Sequence, residues 1–383
     1  MRQKIVKRRK GGIVTKNDLV QKGMERERTL TKNLTEGMKL VEDVLTQDGQ
    51  LLVAGGTLVT PRLMARLNFY SIPYVYVEKS VVPKPVVRQP KQNSYFKRIE
   101  STYEFKRFNY TLKSGVQVLE AAIDKVLNDS KDINVNELIS SIDRMVKETG
   151  NGMHLLSMLQ CIRSYDDLIY VHSVNVSLIC NVLADALHMK KEDKELLIIA
   201  ALLHDIGKTS IPKEVLSKTE KLTDAEFELI RQHPVLGYNV VKDADLDQRV
   251  KMAILQHHER CDGTGYPYGI KSDEMTDFSK IISLVDVYDA MTSNRVYREG
   301  ICPFIVIEIL EKEGYQKYDP KFLLPFLERI SQCYINTGVR LSNGCEGEVI
   351  MLNRDKLSRP VVKVGNEYVN LADNSYLTIV SLL

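Results

Sequence analysis

Apolar residues recur at three- and four-residue steps over a long middle stretch of the chain, residues 94–336. The segments Val116–Val126, Asn136–Val146 and Leu168–Leu187 show this spacing clearly, and it is typical of one buried face of an α-helix. In the last segment the apolar stripe places His172 at the edge of the buried face. We therefore expect a mainly α protein with a helical bundle at its centre.

Shorter β-type runs flank the helical region on both sides. Residues 29–80 contain such runs, a turn at Gly55–Gly56 and a short helical pattern over Pro61–Phe69. Residues 337–383 contain short apolar runs separated by N-G, N-R-D and G-N-E. These patterns predict a small β-rich N-terminal module and a small C-terminal β domain, either a barrel or a meander.

Two further segments differ in composition. Residues 1–28 carry a net charge of +7, so the rest of the chain carries −4 of the total of +3. A solvated, disordered leader is favoured over a segment that touches nucleic acid or an acidic membrane, and we expect no DNA or RNA partner. Residues 81–93 contain three prolines and no helical period, which is typical of a linker.

Hydrophobic residues make up 44% of the chain and charged residues 27%, as in soluble globular proteins. The six cysteines form no C-x-x-C pair, which indicates reduced thiols rather than a disulfide framework or a zinc-thiolate site. No apolar run approaches the roughly 20 residues that span a bilayer. The basic start is not followed by an apolar segment, so we expect a cytoplasmic protein. The N-terminal module could bind protein partners or a signal, or serve packing only.

Candidate chemistry begins where the apolar run Leu196–Leu203 ends in the adjacent His204 and Asp205, with Lys208 one helical turn after His204. A histidine and an aspartate at the end of a buried helix are costly unless they are paired, and a metal ion is a common partner. The pair by itself is equally compatible with a capped helix end, with Gly207 breaking the helix.

Other histidines and aspartates in the helical region favour the metal. Helix-sized gaps of 23 to 31 residues separate the members of one ordered set, which a compact bundle could bring together. The set is His172, His204, Asp205, His233, His257, His258 and Asp286.

Imidazole and carboxylate ligands without thiolates suit iron, manganese or zinc in a hydrolytic or redox site. Seven groups are too many for one ion and suit two, with Asp205 placed to bridge them. On a helix, His257 and His258 point about 100° apart, so each could face a different ion. Two such ions activate water against a phosphodiester.

The segment after the paired histidines is E-R-C-D-G-T-G-Y-P. Gly263 and Gly265 allow a close backbone approach, Pro267 stiffens the loop, and Tyr266 offers a ring to a base or a hydroxyl to a phosphate. Farther along, Arg295 and Arg298 are one turn apart, a spacing suited to phosphate oxygens. A solvated helix face is the alternative for the two arginines.

The motifs H-D-I-G-K, Q-H-P-V-L-G, H-H-E-R-C-D-G-T-G-Y-P and D-V-Y-D-A-M-T-S-N-R resemble the HD-GYP family over residues 165–319. The resemblance implies a cyclic di-GMP phosphodiesterase that yields linear pGpG, and further GMP, with two divalent ions, iron or manganese. It assigns the seven histidines and aspartates to the metals and catalytic roles to Lys208, Asp205 and His233. It assigns substrate binding to Lys208, Gly265, Tyr266, Pro267, Arg295 and Arg298.

Two positions depart from the family pattern. Family members with a third metal carry a glutamate one turn before the first histidine, where this chain has Leu168, so we expect a dinuclear site. Cys261 replaces a larger residue, often tryptophan, and His154 and His188 match no motif.

Two other functions stay open. One is a phosphohydrolase of another cyclic dinucleotide or a nucleotide, and the other is a weakly active signalling or binding module. Modules of that second kind usually lack metal ligands, and all seven are present here. The patterns also leave a homodimer open.

Overall fold

The structure is a computed structural model that describes residues 26–46, 49–78, 94–128, 133–150, 152–162, 168–216, 218, 222–293 and 300–383. Most of the basic leader and the whole proline-containing linker fall outside these residues. The described part is mainly helical, with strands before and after the helices, which confirms the expected fold class.

The N-terminal part combines two small antiparallel sheets with one helix. Strand β1 (Arg26–Leu30) pairs with β4 (Tyr74–Glu78), and β2 (Val44–Leu45) pairs with β3 (Leu51–Val53). The helix α1 covers Pro61–Phe69, as its apolar spacing predicts. It begins there because the Thr60 hydroxyl accepts a hydrogen bond from Leu63 N and because proline fits the first helical turn.

Strand β1 begins at Arg26, inside the segment 1–28 that we expected to be a disordered leader. The predicted end of the leader at residue 28 therefore lies too far along the chain. The alternating charges of R-E-R hide the strand from a search for apolar alternation. The guanidinium carbon of Arg26 lies 4.8 Å from the ring centroid of Tyr76, and that of Arg28 lies 3.4 Å from Tyr74. These cation–π contacts let a charged strand pack against its neighbour.

The described residues between 94 and 332 form mainly helices. The three segments with clear helical spacing lie within them, apart from Leu187, which follows the end of its helix. The helices are α2 Ser94–Ser101, α3 Tyr103–Leu127, α4 Val135–Thr149, α5 Gly152–Cys161, α6 Leu168–Ala186, α7 Lys191–Leu203, α8 Lys213–Leu216, α9 Asp224–Arg231, α10 His233–Val241, α11 Gln248–Gln256, α12 Asp277–Thr292, α13 Pro303–Lys317 and α14 Pro320–Gln332.

The apolar helix α7 lies at the centre of the bundle. Its residues Leu197–Leu203 are all buried, and it packs against both α6 and α11. Helix α12 packs against α6 and α11 in turn, and α10 packs against α11. The four helices α6, α7, α11 and α12 therefore surround one volume, into which residues near their ends can project.

The C-terminal part is a five-stranded antiparallel sheet with the order β8-β7-β6-β5-β9. Strands β5 to β8 follow one another as a meander, and β9 returns to pair with β5. The strands are β5 Gly338–Leu341, β6 Glu346–Asn353, β7 Lys356–Val364, β8 Glu367–Asn370 and β9 Ile379–Leu382. Strand β7 packs on α13 and α14, so this sheet lies against the helical region.

None of the helices in the described part of the chain combines the length and the apolar character needed to cross a membrane.

Candidate metal centre

Seven histidine and aspartate side chains from separate helices converge between α6, α7, α10, α11 and α12. They are His172 on α6, His204 and Asp205 directly after α7, His233 at the start of α10, His257 and His258 directly after α11, and Asp286 on α12. These are the seven residues that the sequence spacing singles out.

One group of potential ligands surrounds the Oδ1 atom of Asp205. It consists of Asp205, His233, His257 and His258, whose ligand atoms all lie within 4.8 Å of one another. The Nε2 atom of His233 lies 3.3 Å from Oδ1, and that of His257 lies 3.8 Å from it. A single cation at this place could contact several of these atoms at once.

A second group surrounds the other oxygen of the same carboxylate. The Nε2 atoms of His204 and His172 lie 3.5 and 3.9 Å from Asp205 Oδ2. Asp286 adjoins this group, because its Oδ1 is 2.9 Å from His172 Nε2. Asp205 thus offers one oxygen to each group, which is the arrangement of a bridging carboxylate.

The tautomers of the buried imidazoles test whether these residues fit metal ions. The Nδ1 atoms of His204, His233 and His257 lie 2.7 to 2.8 Å from backbone carbonyl oxygens three residues earlier. A carbonyl only accepts, so Nδ1 carries the proton and Nε2 keeps its lone pair.

Lone pairs therefore face one another in the centre. The Nε2 of His233 and the Nε2 of His257 are 3.1 Å apart, with no proton to share between them. His204 Nε2 and Asp205 Oδ1 are buried and have no hydrogen-bond partner among the described residues. Buried acceptors without donors are costly, and cations would satisfy them, so the residues fit a pair of metal ions.

The electrostatics around Asp205 favour neutral imidazoles at His257 and His258 and an ionised carboxylate at Asp205. Burial holds the pKa values of His257 and His258 well below the usual 6.5, and neighbouring histidines lower them further. Burial by itself would raise the pKa of Asp205, but the Lys208 ammonium and the nearby His204 and His233 hold it well below 3.8. Both are the protonation states that metal ligation requires.

Asp289 is a part of the centre that the sequence patterns did not reveal. It lies one helical turn after Asp286 on α12, and its Oδ2 is 2.7 Å from His172 Nδ1. Burial lowers the pKa of His172, but its hydrogen bonds to the two aspartates outweigh this and raise it to about 9. The D-V-Y-D spacing was the available signal, since residues three apart share a helix face.

The helix before the H-D pair ends with the apolar run, as the sequence indicates. Helix α7 stops at Leu203, and Ile206–Ser210 forms a 3₁₀ turn, so Lys208 does not lie on a continuing α-helix. Its ammonium nevertheless folds back, and Nζ donates to Asp205 Oδ2 at 2.5 Å. About a quarter of the Lys208 side chain is exposed, which places it between the buried carboxylate and solvent.

Gly207 explains why the turn is tight. A Cβ atom at this position would overlap the carbonyl oxygen of His233 and the backbone nitrogen of Gly237. The 3₁₀ segment therefore packs backbone to backbone against α10, and this contact sets Asp205 beside His233.

The paired histidines also differ from expectation. Helix α11 ends at Gln256, so His257 and His258 do not lie on a regular helix. The angle of about 100° expected between their side chains therefore does not apply. Their ring centroids are 4.2 Å apart, and both belong to the group around Asp205 Oδ1. His258 also approaches Asp286, with Nδ1 3.8 Å from Oδ2.

The glycine-containing loop covers one side of the centre. The Tyr266 ring stacks on His258, with centroids 4.6 Å apart, and the Arg231 guanidinium carbon lies 4.9 Å from the same ring. A Cβ at Gly265 would overlap the backbone of Glu259 and Arg260, so the loop folds directly onto the segment after the histidines. Pro267 follows in a cis peptide bond.

Several predicted positions cannot be placed in this geometry. Arg295 and Arg298 lie outside the described residues, and the side chain of Leu168 is not described. Their assignments stay predictions. Among the described residues, the two groups with metal-type spacing do not include His154 or His188. Cys261 is partly buried at the start of the loop.

Known proteins share this helical region. Residues 156–322 match the family model of the HD domain. The cyclic di-GMP phosphodiesterase PA4108 of Pseudomonas aeruginosa is 34% identical over 233 residues, which cover 60% of this chain and 55% of the relative. The cyclic di-GMP phosphodiesterase PdeB of Borreliella burgdorferi is 28% identical over 50% of this chain and 51% of its own length.

A relative named for a different substrate is also similar. The 3'3'-cGAMP-specific phosphodiesterase 3 of Vibrio cholerae is 31% identical over 39% of this chain and 33% of its own length. The chain spans about half the length of the first two relatives. Residues 156–322 are therefore similar to the HD domain, and the H-D and G-Y-P motifs both lie within this part of the chain.

Proposed function

We propose that this protein is a metal-dependent phosphodiesterase that hydrolyses cyclic di-GMP to linear pGpG, and further to GMP. The observation that carries this proposal is the Asp205 carboxylate, which presents one oxygen to each of two groups of imidazole ligands. A carboxylate shared in this way suits a two-ion hydrolytic centre. Two relatives named cyclic di-GMP phosphodiesterases support the choice of substrate.

The metal ligands in this proposal are His172, His204, Asp205, His233, His257, His258 and Asp286. Iron or manganese fits their imidazole and carboxylate character. When bound, the two ions supply Lewis-acid stabilisation of the phosphate and a water nucleophile at neutral pH. The protein holds the imidazoles in one tautomer through backbone carbonyls, so the ligands are oriented before an ion arrives.

Lys208 is the positive side chain that we assign to the scissile phosphate. It is partly exposed and paired with Asp205, so a small rotation would bring its ammonium to a non-bridging phosphate oxygen. Charge on these oxygens grows in the transition state, and a positioned cation stabilises it. We assign His233 to metal binding rather than proton transfer, because it is buried and its Nδ1 is bonded to Ile230 O.

The loop and the arginines complete the substrate site in this proposal. Tyr266 already has a histidine and an arginine against its ring, so we assign its hydroxyl, rather than its ring, to the substrate. Gly265 and Pro267 shape the loop, and Arg295 and Arg298 contact the phosphates. The proposal places the enzyme in the cytoplasm, where reduced thiols such as that of Cys180 persist.

The decisive experiment measures metal content and hydrolysis in the same sample, purified without oxygen. We expect about two ions per chain and turnover of cyclic di-GMP. The Asp205→Ala variant should lose both metal and activity, by at least about a hundredfold, since the shared carboxylate is gone. Asp193→Ala is the control, because Asp193 is a partly exposed residue of α7 that pairs with Arg249, away from the metal centre.

The outcomes separate the alternatives. Full activity in Asp205→Ala would contradict the two-ion mechanism. Turnover of 3'3'-cGAMP without turnover of cyclic di-GMP would keep the enzyme class and replace the substrate. Two bound ions with no turnover of either dinucleotide would favour a binding module.

A further inference from the structure

The loop that carries Tyr266 is held by hydrogen bonds to a lysine at the end of α13, and this lysine lies outside the metal centre. Lys317 Nζ donates to Thr264 Oγ1 at 2.7 Å and to Asp262 Oδ2 at 3.3 Å. Its backbone carbonyl accepts a hydrogen bond from Cys261 N at 2.9 Å. One residue therefore holds the loop at Cys261, Asp262 and Thr264.

This lysine is buried, with a relative exposure of 7%. A buried ammonium is strongly disfavoured unless it has charged and polar partners, and here Asp262 and Thr264 provide them. Asp262 also accepts hydrogen bonds from the Thr264 backbone nitrogen and hydroxyl, at 3.0 and 2.7 Å. The three side chains thus form a closed network whose geometry fixes the turn before Gly265.

The following residue extends the attachment to the segment next to the paired histidines. The Tyr318 ring is buried, and the Arg260 guanidinium carbon lies 5.4 Å from its centroid. Arg260 Nη1 donates to the backbone oxygen of Glu259 at 2.9 Å and to that of His257 at 3.4 Å. The end of α13 therefore supports both the start and the middle of the loop.

Two aromatic residues of the N-terminal module pack against the other side of the Lys317 side chain. Its Nζ lies 4.9 Å from the ring centroid of Tyr70 and 6.0 Å from that of Phe69. The rings of Phe69 and Tyr318 meet edge to face at 6.0 Å. Phe69 and Tyr70 lie at the end of α1, so the end of this helix covers Lys317.

The geometry points to Lys317 as a positioning residue for the substrate-binding loop, held in place by the end of α1. Through it, the N-terminal module sets the conformation of the loop next to the metal centre. The inference rests on the proposed function in one respect, since it takes Gly265, Tyr266 and Pro267 to contact the cyclic dinucleotide. The contacts described above run to the loop, so substrate binding rather than metal loading should depend on Lys317.

Hydrogen–deuterium exchange of the full chain tests the positioning role without relying on activity. In Lys317→Met, backbone amides of residues 261–268 should exchange about tenfold faster, because the loop loses the hydrogen bonds from Lys317 to Asp262 and Thr264. Amides of α7 should keep the wild-type rate. Lys317→Arg should restore most of the protection, since it retains the cation. The control is Lys321→Met, which removes an exposed lysine paired with Asp277.

Kinetics and metal counting give the second readout. We expect Lys317→Met to keep its metal content and its hydrolysis of bis(p-nitrophenyl) phosphate, a small phosphodiester with no need for the loop. Its KM for cyclic di-GMP should rise about tenfold, the fold-change that one charge-assisted hydrogen bond accounts for. Unchanged loop exchange, or equal acceleration throughout the chain, would overturn the positioning role.

The experiments distinguish a failure of the proposed function from a failure of the positioning role of Lys317. If wild-type protein does not hydrolyse cyclic di-GMP while Lys317→Met still loosens the loop alone, the substrate assignment is wrong and the positioning role stands. The link to the N-terminal module is tested by Tyr70→Leu. This variant should loosen the same amides, and combining it with Lys317→Met should add little further effect. Fully additive effects would contradict the link.

Discussion

Asp289 contacts His172, one of the proposed metal ligands, without belonging to the predicted ligand set. Its Oδ2 lies 2.7 Å from His172 Nδ1, and its Oδ1 accepts a hydrogen bond from the Ser293 hydroxyl at 2.9 Å. The carboxylate is buried, so its position is fixed on both sides. At the scale of residues, the centre therefore extends beyond the atoms that would contact an ion.

Asp289→Asn should weaken metal binding while leaving the fold intact. The amide is similar in shape but lacks the charge that fixes the His172 tautomer, and losses of such partners typically cost about 10- to 100-fold in affinity. Titration calorimetry with manganese measures the effect. Asp277→Asn, an exposed position on the same helix, is the control. Equal affinities in wild type and Asp289→Asn would show that the carboxylate does not orient the ligand.

At the scale of elements, the contact between the 3₁₀ segment Ile206–Ser210 and helix α10 decides how the ligands meet. It depends on Gly207, where a side chain would overlap backbone atoms of α10. Backbone atoms cannot rotate away as a side chain can, so any substitution must separate the two elements.

Gly207→Ala should lower the free energy of unfolding by about 2 kcal/mol, as overpacking of a closely packed core does. It should also reduce the metal content, because Asp205 and His233 move apart. Urea unfolding and metal counting check both effects. The matched control is Gly314→Ala on α13, where the new methyl meets chiefly a leucine side chain that can adjust. A fully metal-loaded Gly207→Ala protein would contradict this account.

At the scale of the whole molecule, one carboxylate on α13 joins the N-terminal module, the helical region and the C-terminal sheet. The Oε1 atom of Glu308 lies 2.6 Å from Lys312 Nζ, 3.4 Å from Arg359 Nη2 on β7 and 3.6 Å from Arg62 Nη2 on α1. Burial would raise the pKa of Glu308, but Lys312 and the two arginines hold it below the usual 4.5.

Glu308→Gln should therefore destabilise the protein by roughly 1–2 kcal/mol at neutral pH, less than for a fully buried pair because Lys312 and Arg62 are half exposed. A carboxylate with a lowered folded-state pKa stabilises the fold above its unfolded pKa, and this stabilisation is lost as the pH falls through the folded pKa. The difference between variant and wild type should thus shrink below about pH 4.5.

Urea unfolding at a series of pH values measures this difference. Glu346→Gln, which removes an exposed carboxylate paired with Arg340 on the C-terminal sheet, serves as the control. A destabilisation by Glu308→Gln that persists unchanged at pH 3 would show that the ion pairs are not its cause.

Much of the fold follows from local patterns in the sequence. The period of apolar residues predicted helices that the structure confirms, and the short helical pattern over Pro61–Phe69 predicted α1. Strand β1 was missed because charged residues that pack on tyrosine rings leave no apolar alternation. Local patterns fail where a distant partner makes the decisive contact.

The sequence by itself determined the identity of the seven potential metal ligands, because their residue types and helix-sized gaps are local properties of the chain. The tertiary structure decided that His257 and His258 lie in one group of ligands and that Asp289 supports His172. These arrangements depend on where helices end and how closely their backbones pack. Such contacts join residues far apart in the chain, so spacing within one segment cannot specify them.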